Sequence, residues 1–165
     1  MNLPVQVAPP AGYWEIINLF GDLTPYIKDD GVIDSKEMSQ FLKTVQLPFH
    51  MLYAFDRSII IRQMTCHKIM APIFLEVLTT IAENELDAYC PEFGGCYCYR
   101  AKRASSKLST HSWGIAVDLN PRTNQYGTKG DMNKDIIGVF KGFGFTWGGD
   151  WKTPDPMHFQ YARNY

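Results

Sequence analysis

The chain has 165 residues, of which 16 are basic and 17 acidic, so its net charge is −1, and 45% of its residues are hydrophobic. These proportions are typical of one compact globular domain and exclude disordered, collagen-like and coiled-coil chains. The near-zero charge also argues against nucleic acid as a partner, because binding to a phosphate backbone needs a clustered basic surface.

No targeting signal is expected at the N-terminus. The first basic residue is Lys28, whereas a secretion signal places a positive segment before its apolar core. No run approaches the roughly 18 apolar residues of a membrane span, so no membrane insertion is expected. The sequence therefore predicts a protein that is made and folded in a cytoplasm and acts as a monomer. If its target lies outside the membrane, another protein must let it through.

Residues 1–46 are predicted to form a helical lead-in. A proline-rich extended stretch of about a dozen residues comes first, followed by a short amphipathic segment that begins at Trp14. An acidic turn then precedes a short helix with an N-cap at Asp34 or Ser35 and an end at Leu42. The turn lacks the regular Asp-x-Asp-x-Asp-Gly spacing of a calcium loop.

Residues 47–165 are predicted to form the core of a single α+β domain, in which helices pack against a small antiparallel sheet. Strand patterns cover 47–62 with a break near Asp56, 86–100 with an interruption at Gly94-Gly95, 115–119, and 157–161. Helical spacing of apolar residues covers 68–85 and 134–141.

The cysteines are Cys66, Cys90, Cys96 and Cys98. Disulfides, a metal site and reduced thiols are all open, but a cytoplasmic chain of this size does not need disulfides, which favours reduced thiols. Cys96 and Cys98 alternate with tyrosines, and this predicts a strand with both cysteines on one face. The Cys-x-Cys spacing is too tight for a structural zinc site.

Two histidines and one aspartate in the second half are candidate metal ligands. His111 precedes the 115–119 strand, Asp118 lies in it, and His158 lies in the last strand. Alternation along both strands places Asp118 and His158 opposite the apolar side chains, so both can project into one cleft. A catalytic zinc takes three nitrogen or oxygen ligands and keeps a fourth position for water. Singly, each residue could instead be a core histidine or a turn aspartate.

The joint pattern is more specific than its parts. It reads Ser109-x-His111, then Asp118 seven residues after His111, then Asp155-x-x-His158. Around it stand the flanking runs Gly114-x-Ala116-x-Asp118-x-Asn120-Pro121 and Trp147-Gly148-Gly149-Asp150-Trp151. From about Tyr89 to Tyr161, the sequence resembles the zinc D-alanyl-D-alanine carboxypeptidase and L-alanyl-D-glutamate endopeptidase family, peptidase M15, and within it the phage endolysins.

The resemblance implies a Hedgehog/DD-peptidase-like fold and a role for each motif residue. His111, Asp118 and His158 would bind one zinc ion per chain, and residues 47–165 would be the catalytic core. Asp155 would be the general base, although it could also be a turn residue between two prolines. The resemblance also implies that Arg100, Ser109 and Trp151 bind substrate. Arg100 could instead form an ordinary surface ion pair, Ser109 could be a turn residue, and Trp151 could be part of the core.

The implied function is hydrolysis of the L-Ala–D-Glu bond in the stem peptide of bacterial peptidoglycan, leading to lysis of the host cell. As an endolysin, the protein would be made in the host cytoplasm and would reach the wall with help from a separate membrane-permeabilising protein. A D-Ala-D-Ala carboxypeptidase uses the same ligand set and is the main alternative. A non-catalytic wall-binding or virion module is a further alternative, but it would have no need of Asp155.

Asp131, Asn133 and Asp135 place three oxygen side chains at alternate positions. This spacing is similar to the opening of a calcium loop, so a calcium site is a second, weaker metal prediction. Ile136 stands where such a loop has glycine, and no acidic residue closes the run.

Overall fold

A computed structural model of the chain describes residues 7–103 and 105–165. Its α-helices are α1 (Gly12–Phe20), α2 (Ser35–Met38), α3 (Ala71–Glu83) and α4 (Lys134–Gly142). Its strands are β1 (Leu42–Tyr53), β2 (Asp56–His67), β3 (Glu92–Gly95), β4 (Ala116–Leu119), β5 (Thr146–Trp147) and β6 (His158–Gln160). Short 3-10 helices lie at Thr24–Tyr26, Asp87–Tyr89, Thr110–Trp113 and Gly148–Asp150.

The strands form one six-stranded sheet in the order β2-β1-β3-β4-β6-β5. The predicted α+β class is confirmed, but the sheet is mixed rather than wholly antiparallel, because β1 runs parallel to β3 with Leu52 opposite Glu92. The remaining pairs are antiparallel. Since β1 starts at Leu42, the predicted boundary of the lead-in at residue 46 falls inside this strand.

Helix α3 buries one face against the sheet. Phe74, Val77, Leu78 and Ile81 are almost fully buried, and their spacing is that of adjacent turns on one helix face. This confirms the helix predicted from the periodicity, and Pro72 is accommodated in its first turn. Helix α4 packs beside α3, and the Phe140 ring of α4 stacks on Phe159 of β6 with 4.2 Å between centroids.

Two local predictions in the first hundred residues differ from the structure, and one lies partly outside the described residues. The helix at Asp34 does begin at that N-cap, which accepts bonds from two backbone N–H groups, but it ends at Met38 rather than Leu42. Trp14 is 73% exposed, so it does not belong to the buried face of α1. The first six residues of the predicted extended lead-in lie outside the described part of the chain.

The strand predicted through Cys96 and Cys98 is also wrong. β3 ends at Gly95, whose φ of 137° is a conformation that side chains rarely adopt. The chain turns there, so Cys96 is buried and Cys98 exposed instead of sharing a face. All of the cysteines are free thiols. None of the helices in the described ranges combines the length and apolar character needed to cross a membrane.

Candidate metal centre and active site

The motif residues His111, Asp118 and His158 meet at the centre of the sheet. Asp118 of β4 lies directly opposite His158 of β6 in the antiparallel register. His111 comes from the 3-10 helix Thr110–Trp113, which Ser109 caps by accepting a bond from the His111 backbone N–H. Gly114 ends this helix with a left-handed φ of 67° and packs against the backbone at His67, where an added Cβ would lie 2.8 Å from the amide nitrogen.

The ligand atoms of the three residues are within contact distance of one another. Asp118 Oδ1 lies 3.2 Å from His111 Nε2 and 3.0 Å from His158 Nδ1. The two imidazole nitrogens are 3.1 Å apart. Both histidines are at least 95% buried, with relative exposures of 1% and 5%. Among the described residues, this is the group of histidine, cysteine and acidic side chains that can hold a metal ion.

In each of the two histidines, the ring nitrogen that points away from the three-residue cluster makes a hydrogen bond, and this bond determines which nitrogen carries the proton. His111 Nδ1 donates to the Cys96 carbonyl oxygen at 2.6 Å, and His158 Nε2 donates to Gln160 Oε1 at 3.1 Å. Each neutral ring therefore directs an unprotonated nitrogen inward. Two lone pairs and a carboxylate oxygen that face each other repel unless a cation lies between them. The donor set of two nitrogens and one oxygen suits zinc, so the residues fit the ion that the motif implies.

Without a metal, the carboxylate and one imidazole form an ion pair. Burial raises the pKa of Asp118, but the neighbouring His111 and His158 outweigh this and hold it well below its ordinary value. Burial lowers the pKa of His158, and the bonds and charge of Asp118 outweigh it and leave the pKa raised. Protons therefore compete with a metal at His158.

Gln160 and Thr110 complete the surroundings of His158, and the motif analysis missed both. Gln160 lies two residues after His158 on the same face of β6, and its Oε1 accepts bonds from the imidazole and from Thr110 Oγ1 at 3.1 Å each. Its amide donates to the carbonyl groups of Ala162 and Tyr165. The period of two along the strand could have identified Gln160, because it places a buried polar side chain beside the ligand.

We expect Gln160→Leu to weaken zinc binding by about 10- to 100-fold, the usual effect of removing the outer partner of a ligating histidine. The variant loses the acceptor that orients His158, while the ligands themselves remain. The zinc dissociation constant, measured by competition with a chromogenic chelator, checks this. Gln46→Leu is the matched control, because Gln46 pairs with Gln63 on the exposed face of the β1–β2 hairpin. An unchanged dissociation constant in Gln160→Leu would show that Thr110 alone orients the ring.

Asp155 lies in the turn that leads into β6, and the backbone around it is tightly held. The Asp155 N–H donates to the Gly148 carbonyl at 2.9 Å, and the Trp147 indole donates to the Pro156 carbonyl at 2.8 Å. Only glycine fits at position 148, since an added Cβ would lie 2.5 Å from the Asp155 carbonyl oxygen. The position of the carboxyl group is therefore fixed before any substrate binds.

The Asp155 carboxyl group has the properties of a proton acceptor. Its Oδ1 is buried and has no hydrogen-bond partner among the described residues, and the side chain lines the same groove as Asp118 and His158. Burial raises its pKa above the ordinary 3.8, and the Asp118 carboxylate adds to this against the opposing charges of His158 and Arg103. A half-buried carboxylate with one buried, unpaired oxygen and a raised pKa is a good general base.

The three predicted substrate residues all line this groove. Arg100 is exposed, and its backbone is fixed because its N–H and carbonyl both bond to Ser112 Oγ at 3.0 and 2.9 Å. Ser109 is buried, and its hydroxyl caps the helix that carries His111. The Trp151 ring lies 5.4 Å from the His158 ring between centroids. Arg100 and Trp151 can therefore contact a ligand, whereas Ser109 orients His111 through the backbone.

Two grooves meet at the metal ligands. The basic groove has a volume of about 930 Å³, and six of its lining residues are Arg100, Lys102, Arg103, Trp151, Asp155 and His158. The aromatic groove has a volume of about 1130 Å³ and is lined by His111 together with Tyr53, Phe55, Phe93, Tyr97 and Tyr126. Asp118 lines both grooves. The centre therefore lies where a chain running through both grooves would pass.

The weaker calcium prediction finds no support. Asn133 Oδ1 caps α4 by accepting bonds from the backbone N–H groups of Asp135 and Ile136. Asp131 Oδ1 accepts a bond from the Asn124 amide at 2.8 Å. The alternating oxygens thus serve a loop and a helix start. Asp150 belongs to the flanking run Trp147-Gly148-Gly149-Asp150-Trp151. Its exposed carboxylate forms an ion pair with Lys141 at 2.6 Å.

The fold and the site together define a class of protein: an α+β domain with a buried site of two histidines and one aspartate for a metal, and a carboxyl group beside it. Residues 102–161 match the family model described as D-alanyl-D-alanine carboxypeptidase. This match includes His111, Asp118, Asp155 and His158, and it supports the predicted resemblance to the M15 zinc peptidase family. No curated protein sequence matches the chain significantly.

Proposed function

We propose that this protein is a zinc endopeptidase that hydrolyses the L-Ala–D-Glu bond of the peptidoglycan stem peptide and acts as an endolysin. The observation that carries the proposal is the position of the metal ligands where the two grooves meet, with His158 lining one groove and His111 the other. An endopeptidase must hold substrate residues on both sides of the scissile bond, and this arrangement leaves room on both sides.

The charges of the basic groove support the choice of substrate. Arg100, Lys102 and Arg103 line it together, and the Lys102 ammonium group lies 3.6 Å from the centre of the Tyr165 ring. Burial, with a contribution from Lys107, lowers the pKa of Lys102 to about 8, so it remains mostly charged at neutral pH. Peptidoglycan stem peptides carry carboxylates, which guanidinium and ammonium groups bind.

Each polar side chain then has a defined task in the hydrolysis. When bound, zinc supplies a Lewis acid that polarises the scissile carbonyl and favours ionisation of water. Asp155 accepts a proton from the attacking water and passes it to the leaving amine. Arg100 holds a substrate carboxylate or the oxygen that becomes negative in the tetrahedral intermediate. Trp151, beside His158, packs against the stem peptide.

We expect Arg100→Ala to lower kcat/KM by about 10- to 100-fold, since it removes a charged partner of the substrate or of the developing oxyanion. Zinc content should not change, because no hydrogen bond or ion pair in the described part of the chain joins Arg100 to a metal ligand. Steady-state kinetics on a purified muropeptide checks this. Arg62→Ala is the matched control, since Arg62 is an exposed arginine of β2 that lines neither groove. Equal kinetics in the two variants would remove Arg100 from the site.

The proposed bond is tested by mass spectrometry of muropeptides digested with the zinc-loaded protein. Cleavage between L-Ala and D-Glu leaves L-Ala on the muramic acid and releases the rest of the stem as one peptide. Release of terminal D-Ala alone would identify a carboxypeptidase, the activity that the matched family description names. Zinc binding with no product from either bond would favour the non-catalytic wall-binding or virion module.

The lytic role is tested in Gram-negative cells. We expect the purified protein to reduce the turbidity of cells with permeabilised outer membranes, and a chelator to prevent this. As an endolysin made in the host cytoplasm, the protein should lyse cells from within only when a separate membrane-permeabilising protein is co-expressed. Lysis without that second protein would contradict the proposed route to the wall.

A further inference from the structure

The tip of the β1–β2 hairpin exposes an aromatic pair beside the aromatic groove. Phe55 is 72% exposed, and its ring meets that of Tyr53 edge-on with 5.4 Å between centroids. Both residues line the groove that also holds His111. An exposed aromatic ring does not contribute the folding free energy that burial of its apolar surface would give. Exposed aromatic side chains next to a concave site are typical of ligand-binding surfaces.

The hairpin tip is held rigidly against the floor of this groove. Glu92 of β3 is 96% buried, forms an ion pair with Arg57 of the hairpin at 3.3 Å, and accepts a hydrogen bond from Arg122 at 2.7 Å. The Ala54 N–H also donates to the Phe93 carbonyl at 3.0 Å. These contacts fix the aromatic pair relative to the metal ligands, so a ligand would not have to order the hairpin.

The remaining walls combine flat apolar surfaces with hydrogen-bond donors. Tyr97 and Tyr126 contribute further rings, and polar groups come from Arg122, from Gln125 and from two arginines shared with the basic groove, Arg100 and Arg103. Among the residues that the structure describes, Asp118, a metal ligand, is the only acidic one that lines this groove. Sugar rings stack their C–H faces on aromatic rings and direct their hydroxyl and acetamide groups to polar neighbours, so these walls suit a carbohydrate.

We propose that the aromatic groove binds the glycan strand of peptidoglycan, as an N-acetylated amino sugar chain stacked on Phe55, Tyr53 and Tyr97. This inference rests on the proposed function, because it names a further part of the same substrate. In the stem, L-Ala is joined directly to the muramic acid, so the sugar lies one residue from the proposed scissile bond. The aromatic groove thus takes the sugar side and the basic groove the carboxylate-bearing side.

Binding of peptide-free glycan strands to the zinc-loaded full-length protein tests the proposal without relying on hydrolysis. We expect binding by isothermal titration calorimetry, and a loss of affinity of at least about fivefold in Phe55→Ala and in Tyr97→Ala, as when an aromatic anchor is truncated. Trp14→Ala is the matched control. Trp14 is 73% exposed and has an edge-on aromatic neighbour, Tyr13, but it lies on α1 outside both grooves.

Alkylation of Cys98 gives a second measurement that reports position. Cys98 is exposed and lines the aromatic groove, whereas Cys66, Cys90 and Cys96 are buried. Glycan strands should slow the reaction of Cys98 with iodoacetamide in the wild type and in Trp14→Ala, but not in Phe55→Ala. The modified peptide is quantified by mass spectrometry.

The outcomes separate this proposal from the proposed function. Glycan binding that depends on Phe55 supports the glycan site even if no stem bond is cut. Absence of glycan binding by a protein that does cut the stem overturns the glycan site alone. Glycan binding that is equally strong in Phe55→Ala and Tyr97→Ala, or that leaves Cys98 unprotected, also overturns it, because the sugar then binds elsewhere.

Discussion

Replacing Asp155 with asparagine should lower kcat by about 10²- to 10⁴-fold while leaving the zinc content at one ion per chain, because the variant loses a general base but no metal ligand. Asparagine has nearly the same shape and keeps the backbone bonds to Gly148, so the turn into β6 should be preserved. Activity on muropeptides and metal analysis of the same preparation provide the two readings. Zinc loss in Asp155→Asn equal to that in a ligand variant would show that Asp155 binds metal instead.

Asp150→Asn is the matched control for this experiment. Asp150 is an acidic residue five positions earlier, but its carboxylate is exposed and pairs with Lys141. Its variant should keep both activity and zinc. A comparable loss of activity in Asp150→Asn would mean that the general charge of this segment matters, rather than a proton transfer at Asp155.

The pH dependence of the wild type gives a further test of Asp155. Burial raises the pKa of its carboxyl group above 3.8, and a general base works only when it is deprotonated. As the pH falls through the pKa of this carboxyl group, the base becomes protonated and kcat/KM should fall. Zinc content measured across the same range distinguishes loss of the base from loss of the metal.

Replacing His158 with alanine should remove both zinc and activity, and with them the stabilisation that zinc confers. At free zinc about a thousandfold above the dissociation constant, that stabilisation is about 4 kcal/mol, or on the order of 10 °C in Tm for a domain of this size. In the wild type, a chelator should lower Tm by this amount, and in His158→Ala it should have no effect. Chelator-sensitive unfolding in the variant would show that zinc binds elsewhere.

His50→Ala is the control for the loss of a histidine, because His50 is exposed on β1. It should keep the zinc and the chelator-dependent Tm of the wild type.

Acidification should weaken zinc binding at His158 without any mutation. The carboxylate of Asp118 raises the pKa of His158 in the metal-free chain above 6.5. Proton competition should therefore begin to weaken zinc affinity at a pH above the ordinary imidazole pKa.

The sequence was most informative where local patterns decide structure. The periodicity of α3 and α4 and the N-cap of α2 depend on residues within a few positions of each other, and the helices at these positions agree with their patterns apart from a few terminal residues. The alternation in β4 and β6 likewise places Asp118 and His158 on one face, opposite the apolar residues. A period of two fixes the face of a strand whatever it pairs with.

Predictions failed where the answer depends on distant parts of the chain. The parallel pairing of β1 with β3 joins residues about 40 positions apart, and no local pattern specifies it. The strand predicted through Cys96 and Cys98 satisfied the alternation, but the turn at Gly95 ended it. The oxygen atoms at Asp131 and Asn133 had suitable spacing for calcium, yet they bond within a loop and at a helix start.

The sequence by itself therefore determined the residue types and approximate placement of the candidate site, because the motif spacing and the strand alternation are local properties. Only the tertiary structure decided how those residues work together. The Cys96 carbonyl, 15 residues away in sequence, selects the tautomer of His111. Gln160, two residues away, selects the tautomer of His158. The burial of Asp155 and the aromatic groove from the hairpin to Tyr126 depend on long-range packing, which joins residues that no local rule relates.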